Sequence, residues 1–322
     1  MKPKALFVML ILWLSFTTIQ ARSTEDVPDK GTYAKFLLVG CYMKPDEEGV
    51  RMYRFDGQTA DVDYPCGLRG ISNPAFLTSD STGNRIYAIG DDEGKSSTAN
   101  ALLFDKESGL LSLLNSQSTD GELPIYITLS PKEYFVLTAN YKGGSITVFS
   151  QDKKGKLQRD TKIIRFAGNG PNKKRQEQSH LHCVTFTPDG KFLLATDLGT
   201  DCIYLFPIGK RPEAGKAHSL LDESRVVRIQ MDSGSGPRHI CFHPNGRFAY
   251  LISELSGKIT VFSYNEGKLE RLQTIVCDPF VAEGNADIHV SSDGKFLYAS
   301  KHLKEDGIIV YSIDSQKEHW FK

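Results

Sequence analysis

Side chains that could carry out acid–base chemistry are concentrated in the second half of this chain. The pair His180-x-His182 is followed by Asp197, Arg238 and Glu254. A neutral imidazole can accept a proton from water, a carboxylate can orient that imidazole, and a guanidinium can hold an anion or a developing oxyanion. If the fold brings these groups together, they could activate water towards an ester-like bond.

A recurring segment indicates how these residues could meet. It is a turn such as Pro-Asp-Gly at 188–190, followed by an apolar run such as Phe-Leu-Leu at 192–194. Six copies recur about every 50 residues, with Lys35, Arg85, Tyr134, Lys191, Arg247 and Lys295 at equivalent positions. Short alternating runs separated by turn residues are typical of strands, and none has helical spacing. The chain is therefore predicted to be an all-β β-propeller, with one blade for each copy.

The register of the copies predicts which side chains share one end of the propeller channel. His182 and Arg238 each lie six residues before a turn proline, so we expect them to be neighbours. Pairing about the turns places His182 level with Asp197, and Arg238 level with Ser253, beside Glu254. By the same count, residues 286–289 lie near His302. One rim should gather His180, His182, Asp197, Arg238, His239, Glu254, Asp287 and His302.

Composition and the N-terminal pattern limit the class of protein. The 39 basic and 39 acidic residues give a pI near 7.1, without the basic excess typical of nucleic-acid binding. Lys2 and Lys4 precede an apolar run ending near Ala21, which indicates a secretory signal peptide over 1–21. We expect a polar linker over 22–30 and one propeller domain over 31–322. The mature protein is expected to be periplasmic or extracellular, and not bound to a membrane.

The six cysteines include no CxxC pair, which argues against a zinc ribbon or a thioredoxin-like site. A chain of this length can bury a core without disulfides, so we expect most cysteines to be small buried residues. An oxidising compartment would permit one disulfide, for which Cys183 and Cys202 are the candidate pair.

Three ordered motifs, at 178–201, 234–255 and 286–291, resemble the lactonase family of seven-bladed propellers. This family includes bacterial 6-phosphogluconolactonases and fungal carboxymuconate-lactonising enzymes. The resemblance covers roughly residues 32–313 and implies hydrolysis of a sugar δ-lactone in carbohydrate metabolism. It implies catalytic roles for His180 or His182, Arg238 and Glu254, with the roles of histidine and glutamate open to exchange. Substrate-binding residues would be Asp197, His239, Asp287, His289 and His302.

Two features depart from the family pattern. Ser300-Lys301-His302 stands where the family usually has Ser-Asn-Arg, which replaces an expected cation by a pH-dependent one. The family also continues through another blade after the strand at 308–313. We therefore expect about six blades here, with the last blade incomplete or missing.

Other functions stay open at the level of sequence. No cofactor is expected, although His180 and His182 on one side of a strand, with Asp197 and Glu254, could hold a divalent metal. The run Lys173-Lys174-Arg175 is interpreted as a solvated loop that could help attract a phosphate. The expected partner is a small lactone, and the oligomeric state is not indicated. The alternatives are an exported propeller that only binds a sugar or a protein, or a carboxymuconate-type lactone cyclase.

Overall fold

The computed structural model describes residues 8–10, 34–210, 212–277, 284–302 and 306–314. Their strands form six antiparallel sheets that follow one another in chain order. The only helical elements within these ranges are two short 3₁₀ turns, Ala217–Ser219 and Glu223–Arg225, and no helix there could cross a membrane. The expected all-β fold and its six blades are confirmed. The linker at 22–30, the chain end at 315–322 and all of the expected signal peptide except 8–10 lie outside the described residues.

Sheets 1 to 3 each contain four strands in sequential order. Sheet 1 contains β1 (Val8–Leu10), β2 (Ala34–Cys41), β3 (Val50–Asp56) and β4 (Val62–Leu68). Sheet 2 contains β5 (Leu77–Ser79), β6 (Arg85–Asp91), β7 (Ser97–Asp105) and β8 (Leu110–Ser118). Sheet 3 contains β9 (Pro124–Leu129), β10 (Phe135–Asn140), β11 (Ser145–Gln151) and β12 (Leu157–Arg165).

Sheets 4 and 5 repeat this plan, and sheet 6 has three strands within the described ranges. Sheet 4 contains β13 (Leu181–Phe186), β14 (Phe192–Asp197), β15 (Cys202–Pro207) and β16 (Val227–Gln230). Sheet 5 contains β17 (Pro237–Phe242), β18 (Phe248–Ser253), β19 (Lys258–Asn265) and β20 (Lys268–Val276). Sheet 6 contains β21 (Asn285–Val290), β22 (Phe296–Lys301) and β23 (Gly307–Ser312).

The hydrophobic core lies between successive sheets. Alternate residues of one strand face opposite neighbours: Leu193 packs into the cluster shared by sheets 3 and 4, and Leu194 into the cluster shared by sheets 4 and 5. Both side chains are fully buried, which typically contributes about 1.5–3 kcal/mol each. Because both faces of a middle strand are covered, its sequence is a continuous apolar run rather than an alternation.

The turns that define the repeat have the same local structure in sheets 4, 5 and 6. Gly190, Gly246 and Gly294 have φ angles of 66°, 71° and 74°, in the region that favours glycine. The preceding Asp189 accepts a hydrogen bond at Oδ1 from the Lys191 amide at 3.0 Å. Such Asx turns reverse the chain sharply and fix the pairing of the first two strands in each of these sheets.

The candidate disulfide between Cys183 and Cys202 is wrong, because all six cysteines are free. Cys183 lies on β13 and Cys202 on β15, and the whole of β14 separates these strands. The Cys202 thiol instead lies 2.8 Å from Nε of Arg228.

We predict that Gly190→Ala lowers the free energy of unfolding by about 1–2 kcal/mol, because alanine is strained at positive φ. Gly57→Ala is the matched control, since an added Cβ there would meet no atom within 4 Å and its φ is outside the left-handed region. Urea unfolding measures both variants. Equal unfolding midpoints for the two would contradict the prediction.

Candidate active site

A β-bulge at the start of the inner strand places the key side chains. In sheet 4 the pairing shifts between Leu181 and Cys183, so that His182 is the extra residue. In sheet 5 it shifts between Pro237 and His239, so that Arg238 is the extra residue. Bulges redirect a side chain and are common next to active sites. The two residues therefore occupy equivalent positions on neighbouring sheets, as the repeat register predicted.

The bulges also correct the predicted pairing by one residue. The register inferred from the turns holds as far as the pairs Cys183 with Thr196 and His239 with Ile252. Beyond them, Asp197 pairs with Leu181 instead of His182, and Ser253 with Pro237 instead of Arg238. Counting outwards from a turn cannot detect an inserted residue.

His182, Arg238 and Glu254 come together in a largely buried cluster. Arg238 donates from Nε to Glu254 Oε2 at 3.0 Å, and Nε2 of His182 lies 3.7 Å from the same oxygen. Arg238 also donates from Nη1 to the Ala286 carbonyl at 2.6 Å. His182 is 7% exposed and Glu254 is 4% exposed. The predicted meeting of imidazole, guanidinium and carboxylate is thus present in the structure.

The charges in this cluster are set by its surroundings. Burial would raise the pKa of Glu254, but Arg238 and Arg175 lower it below its usual value. Burial, Arg238 and His239 hold the pKa of His182 well below its usual value. At neutral pH the cluster therefore combines an ionised carboxylate with a neutral imidazole. Nδ1 of His182 is buried without a hydrogen-bond partner among the described residues.

Arg175 and Tyr141 also contact the cluster, although the sequence analysis did not select either of them as a site residue. Arg175 donates from Nη2 to Glu254 Oε1 at 2.5 Å and lies 3.4 Å from the Tyr141 hydroxyl. The interpretation of Lys173-Lys174-Arg175 as a solvated loop is therefore wrong for Arg175. The sequence did contain one indication that Arg175 belongs to the site. The run 173–175 closely precedes His180, and it is therefore expected near the same rim.

His180 lies beside the cluster and is not part of it. Its ring stacks on Tyr141 with centroids 4.4 Å apart, whereas His182 meets the same tyrosine edge-on at 5.5 Å. The His180 ring nitrogens lie 3.1 Å from the Tyr141 carbonyl and 3.2 Å from Glu177 Oε1. Both nitrogens of His180 are engaged with oxygen atoms outside the cluster. Within the described ranges, no three His, Cys, Asp or Glu side chains have an arrangement suited to a metal ion.

Asp197 is fully buried, and its carboxylate organises the backbone next to the site. Oδ1 accepts from the amides of His180 at 2.7 Å and Gly199 at 2.9 Å. Oδ2 accepts from the hydroxyls of Ser179 at 2.7 Å and Thr200 at 2.8 Å. Two of these bonds come from the residues just before β13 and two from the loop after β14, so that Asp197 links the two segments. The structure therefore shows Asp197 as a positioning residue and not on the surface of the cleft.

Asp201 was not selected in the sequence analysis. It connects the loop that carries Arg175 to the loop that precedes Arg238 on β17. It accepts at Oδ1 from Gln176 Nε2 and from the Gly236 amide, both at 2.8 Å. Its Oδ2 accepts from the Gly234 amide at 2.6 Å. Gln176 adjoins Arg175, and Gly236 precedes the strand that carries Arg238. One buried carboxylate thus positions both guanidinium groups.

His239, Asp287 and His289 form a hydrogen-bonded row beside Arg238. Asp287 lies between the two imidazoles, 2.7 Å from His239 Nδ1 and 2.9 Å from His289 Nε2. Nε2 of His239 lies 3.4 Å from Arg238 Nη1. Burial would raise the pKa of Asp287, but the two histidines hold it well below its usual value. The row is therefore a hydrogen-bonded network that adjoins the cluster, with His239 buried and His289 half exposed.

His302 completes the group of predicted residues. Its amide donates to the Gly284 carbonyl at 2.8 Å. Burial and Arg238 lower the pKa of its imidazole, whereas Glu254 opposes this shift. His302 is therefore within electrostatic reach of the cluster, where the sequence resemblance had implied an arginine.

The fold and this cluster define a class: an all-β propeller with an imidazole, a carboxylate and two guanidinium groups at one end of its inner strands. The family described as "Lactonase, 7-bladed beta-propeller" matches residues 36–320, and the chain belongs to that family. The expected enzyme class, a lactonase, is confirmed at this level. Six sheets are described here, compared with the seven blades of the family description.

Similar proteins agree with this assignment. A 6-phosphogluconolactonase of Bacillus subtilis is 33% identical over 284 residues, covering 86% of this chain and 77% of that protein. A crystal structure of a putative 6-phosphogluconolactonase from Bacteroides fragilis has a TM-score of 0.85 and 38% identity, over 92% of this chain and 82% of that one. A periplasmic gluconolactonase of Pseudomonas aeruginosa has a TM-score of 0.78 and 28% identity, over 89% and 81% of the two chains.

We predict that Asp201→Asn lowers the free energy of unfolding by about 1–3 kcal/mol, because an amide nitrogen would face buried N–H donors it cannot bond. Asp232→Asn is the matched control in the loop before β17 that Asp201 contacts, where the carboxylate makes an exposed ion pair with Arg271 worth about 1 kcal/mol or less. Urea unfolding compares the two variants. Equal losses of stability would show that Asp201 does not have this role.

Proposed function

We propose that this protein hydrolyses a sugar δ-lactone in the manner of a 6-phosphogluconolactonase. The observation that carries the proposal is the buried contact of Arg238 and His182 with one carboxylate, Glu254. Membership of the lactonase family and the names of the relatives support the choice of substrate. A δ-lactone is an activated ester, so its hydrolysis needs a positioned water, a base and a positive charge for the oxyanion.

His182 is the proposed base. Its imidazole takes a proton from water while the water oxygen bonds to the lactone carbonyl carbon. The bond from that carbon to the ring oxygen then breaks, and His182 returns the proton to the departing oxygen. Because its surroundings hold the pKa low, the imidazole is neutral before the reaction and a strong acid once protonated. The product is an open-chain hydroxy acid, which releases its carboxyl proton to solvent.

Arg238 and Glu254 have complementary proposed roles. Nη2 of Arg238 has no hydrogen-bond partner among the described residues, so it can donate to the carbonyl oxygen as negative charge develops there. Glu254 is held by Arg238 and Arg175, which fixes its orientation towards His182 and the substrate hydroxyls. We propose His239 and His302 as neighbouring substrate contacts, and Asp197, Asp287, His289 and His180 as supporting residues.

We also propose that the protein is exported. The support is the basic and then apolar pattern of residues 1–21, together with the description of the Pseudomonas aeruginosa relative as periplasmic. Cleavage after Ala21 would remove β1 and leave β2, β3 and β4 in sheet 1. An exported enzyme would meet lactones that enter from outside the cell. A lactone cyclase or a propeller that only binds sugar are the alternatives, and the following assays separate them from a hydrolase.

We predict that His182→Gln and Arg238→Ala each lower kcat/KM for 6-phosphoglucono-δ-lactone by about 10²- to 10³-fold, the usual effect of losing a base or an oxyanion donor. Acid release above the spontaneous rate measures hydrolysis, and circular dichroism checks the β-sheet signal. Glu266→Gln is the control, because Glu266 makes an exposed ion pair with Lys191 away from the cluster. Rates for the site variants equal to the parent rate would contradict the proposal.

We predict that kcat/KM stays constant from pH 8 to pH 6 and falls only at lower pH. The base acts only when it is deprotonated. Because the pKa of His182 lies well below the usual 6.5, a lower pH is needed to protonate it than for an ordinary histidine. Glu254 also stays ionised over this range, since its pKa is lowered. A pH-stat titration at fixed ionic strength gives the profile. An acid limb centred at pH 6.5 or above would exclude His182 as the base.

A further inference from the structure

The loop between β12 and β13 carries Arg175, whose side chain contacts Glu254 of the cluster. Gln176 is fully buried and donates from Nε2 to the Leu198 carbonyl and to Asp201, each at 2.8 Å. Its Oε1 accepts from the Asn172 amide at 3.1 Å. The side chain of Arg175 is 38% exposed, compared with 15% for Arg238. The hydrogen bonds of Gln176 therefore fix the backbone next to Arg175, while part of the Arg175 side chain remains exposed to a ligand.

The cluster has an excess of positive charge. Arg175 and Arg238 share the single carboxylate of Glu254. His182 adds no negative charge, and the carboxylate of Asp287 is already paired with His239 and His289. Glu177 is an exposed neighbour that lies against His180. A partly buried guanidinium without its own counterion is costly, so the site favours an anion supplied by the ligand.

The geometry leaves donors for that anion on Arg175. Of its guanidinium nitrogens, only Nη2 has a hydrogen-bond partner among the described residues, namely Glu254 and Tyr141. The N–H groups of Nε and Nη1 lie on different sides of the guanidinium, and each remains available to donate to an oxygen of a phosphate or carboxylate. Arg238, in contrast, uses both Nε and Nη1 within the protein. The two arginines are thus suited to different tasks.

We propose that Arg175 is a substrate-binding residue that selects lactones carrying an anionic group over neutral lactones. This inference rests on the proposed lactonase function. Arg238 is left to stabilise the reacting carbonyl, and Arg175 holds the phosphate or carboxylate at the other end of the substrate. The neighbouring Lys173 and Lys174 are exposed and belong to the solvated part of the loop.

The test compares two lactones that differ only in a phosphate. For Arg175→Gln we expect kcat/KM for 6-phosphoglucono-δ-lactone to fall about 10- to 100-fold, mainly through KM, as on losing charged hydrogen bonds made in both ground and transition states. The rate with glucono-δ-lactone should fall by a smaller factor, since that substrate has no anion to lose and is affected only through the orientation of Glu254. Arg175→Lys keeps the charge but not the several separate N–H donors of the guanidinium, and should give an intermediate loss.

Lys174→Gln is the matched control, because it removes the same charge from an exposed neighbour in the same loop. It should leave both lactones within about twofold of the parent. Equal losses with both lactones for Arg175→Gln would mean that Arg175 only orients Glu254, and no loss with either would mean that it is a solvated residue. Either result overturns the proposal.

Binding by calorimetry separates this inference from the proposed function. Glucose 6-phosphate and glucose also differ only in the phosphate and have no lactone carbonyl. The parent protein should bind glucose 6-phosphate more tightly than glucose, and Arg175→Gln should abolish that preference. If the parent hydrolyses neither lactone, the proposed function fails, while the binding preference still decides the role of Arg175. Absence of any preference in the parent overturns the inference by itself.

Discussion

The site depends on two buried carboxylates that flank the turn after β14. Asp197 fixes the start of the strand that carries His182, and Asp201 fixes the loops next to Arg175 and Arg238. A buried carboxylate is stable only when its oxygens accept several hydrogen bonds, so each of them requires particular amides to be nearby. Residues that are far apart in sequence are thereby held at fixed positions. Asp197 and Asp201 thus position the residues of the cluster without being part of it.

A second constraint is that two arginines share Glu254. If Glu254 had one arginine, the pair would be neutral and the carboxylate less firmly oriented. With two, the carboxylate stays ionised in a largely buried place, while burial, together with the nearby positive charge, lowers the pKa of His182. The two arginines thus help to keep the imidazole neutral. In the proposal made above, the same positive charge would also attract an anionic substrate, so that one feature contributes to both properties.

The sequence predicts the parts of this structure that local patterns determine. Asp189-Gly190 and its counterparts give turns, turns give the repeat, and the repeat places His182 beside Arg238. What it misses are features without a local signal. The extra residue at each bulge shifts the pairing by one, and Arg175 reaches Glu254 from a loop whose composition resembles solvated loops elsewhere. Cys183 and Cys202 are close in sequence but separated by a strand.

The bulge itself does not specify function, because sheet 3 has one at the same place. There the pairing shifts between Pro124 and Tyr126, and the extra residue is Ile125. On this side of the channel the aromatic rings of Phe76 and Tyr126 pack 4.0 Å apart, and Tyr126 lies 5.1 Å from His239. Apolar rings beside the polar row exclude water, and a drier site strengthens every charge interaction within it. The repeated backbone supplies equivalent positions, and the residue type at each position decides its chemistry: isoleucine at the bulge of sheet 3, histidine in sheet 4 and arginine in sheet 5.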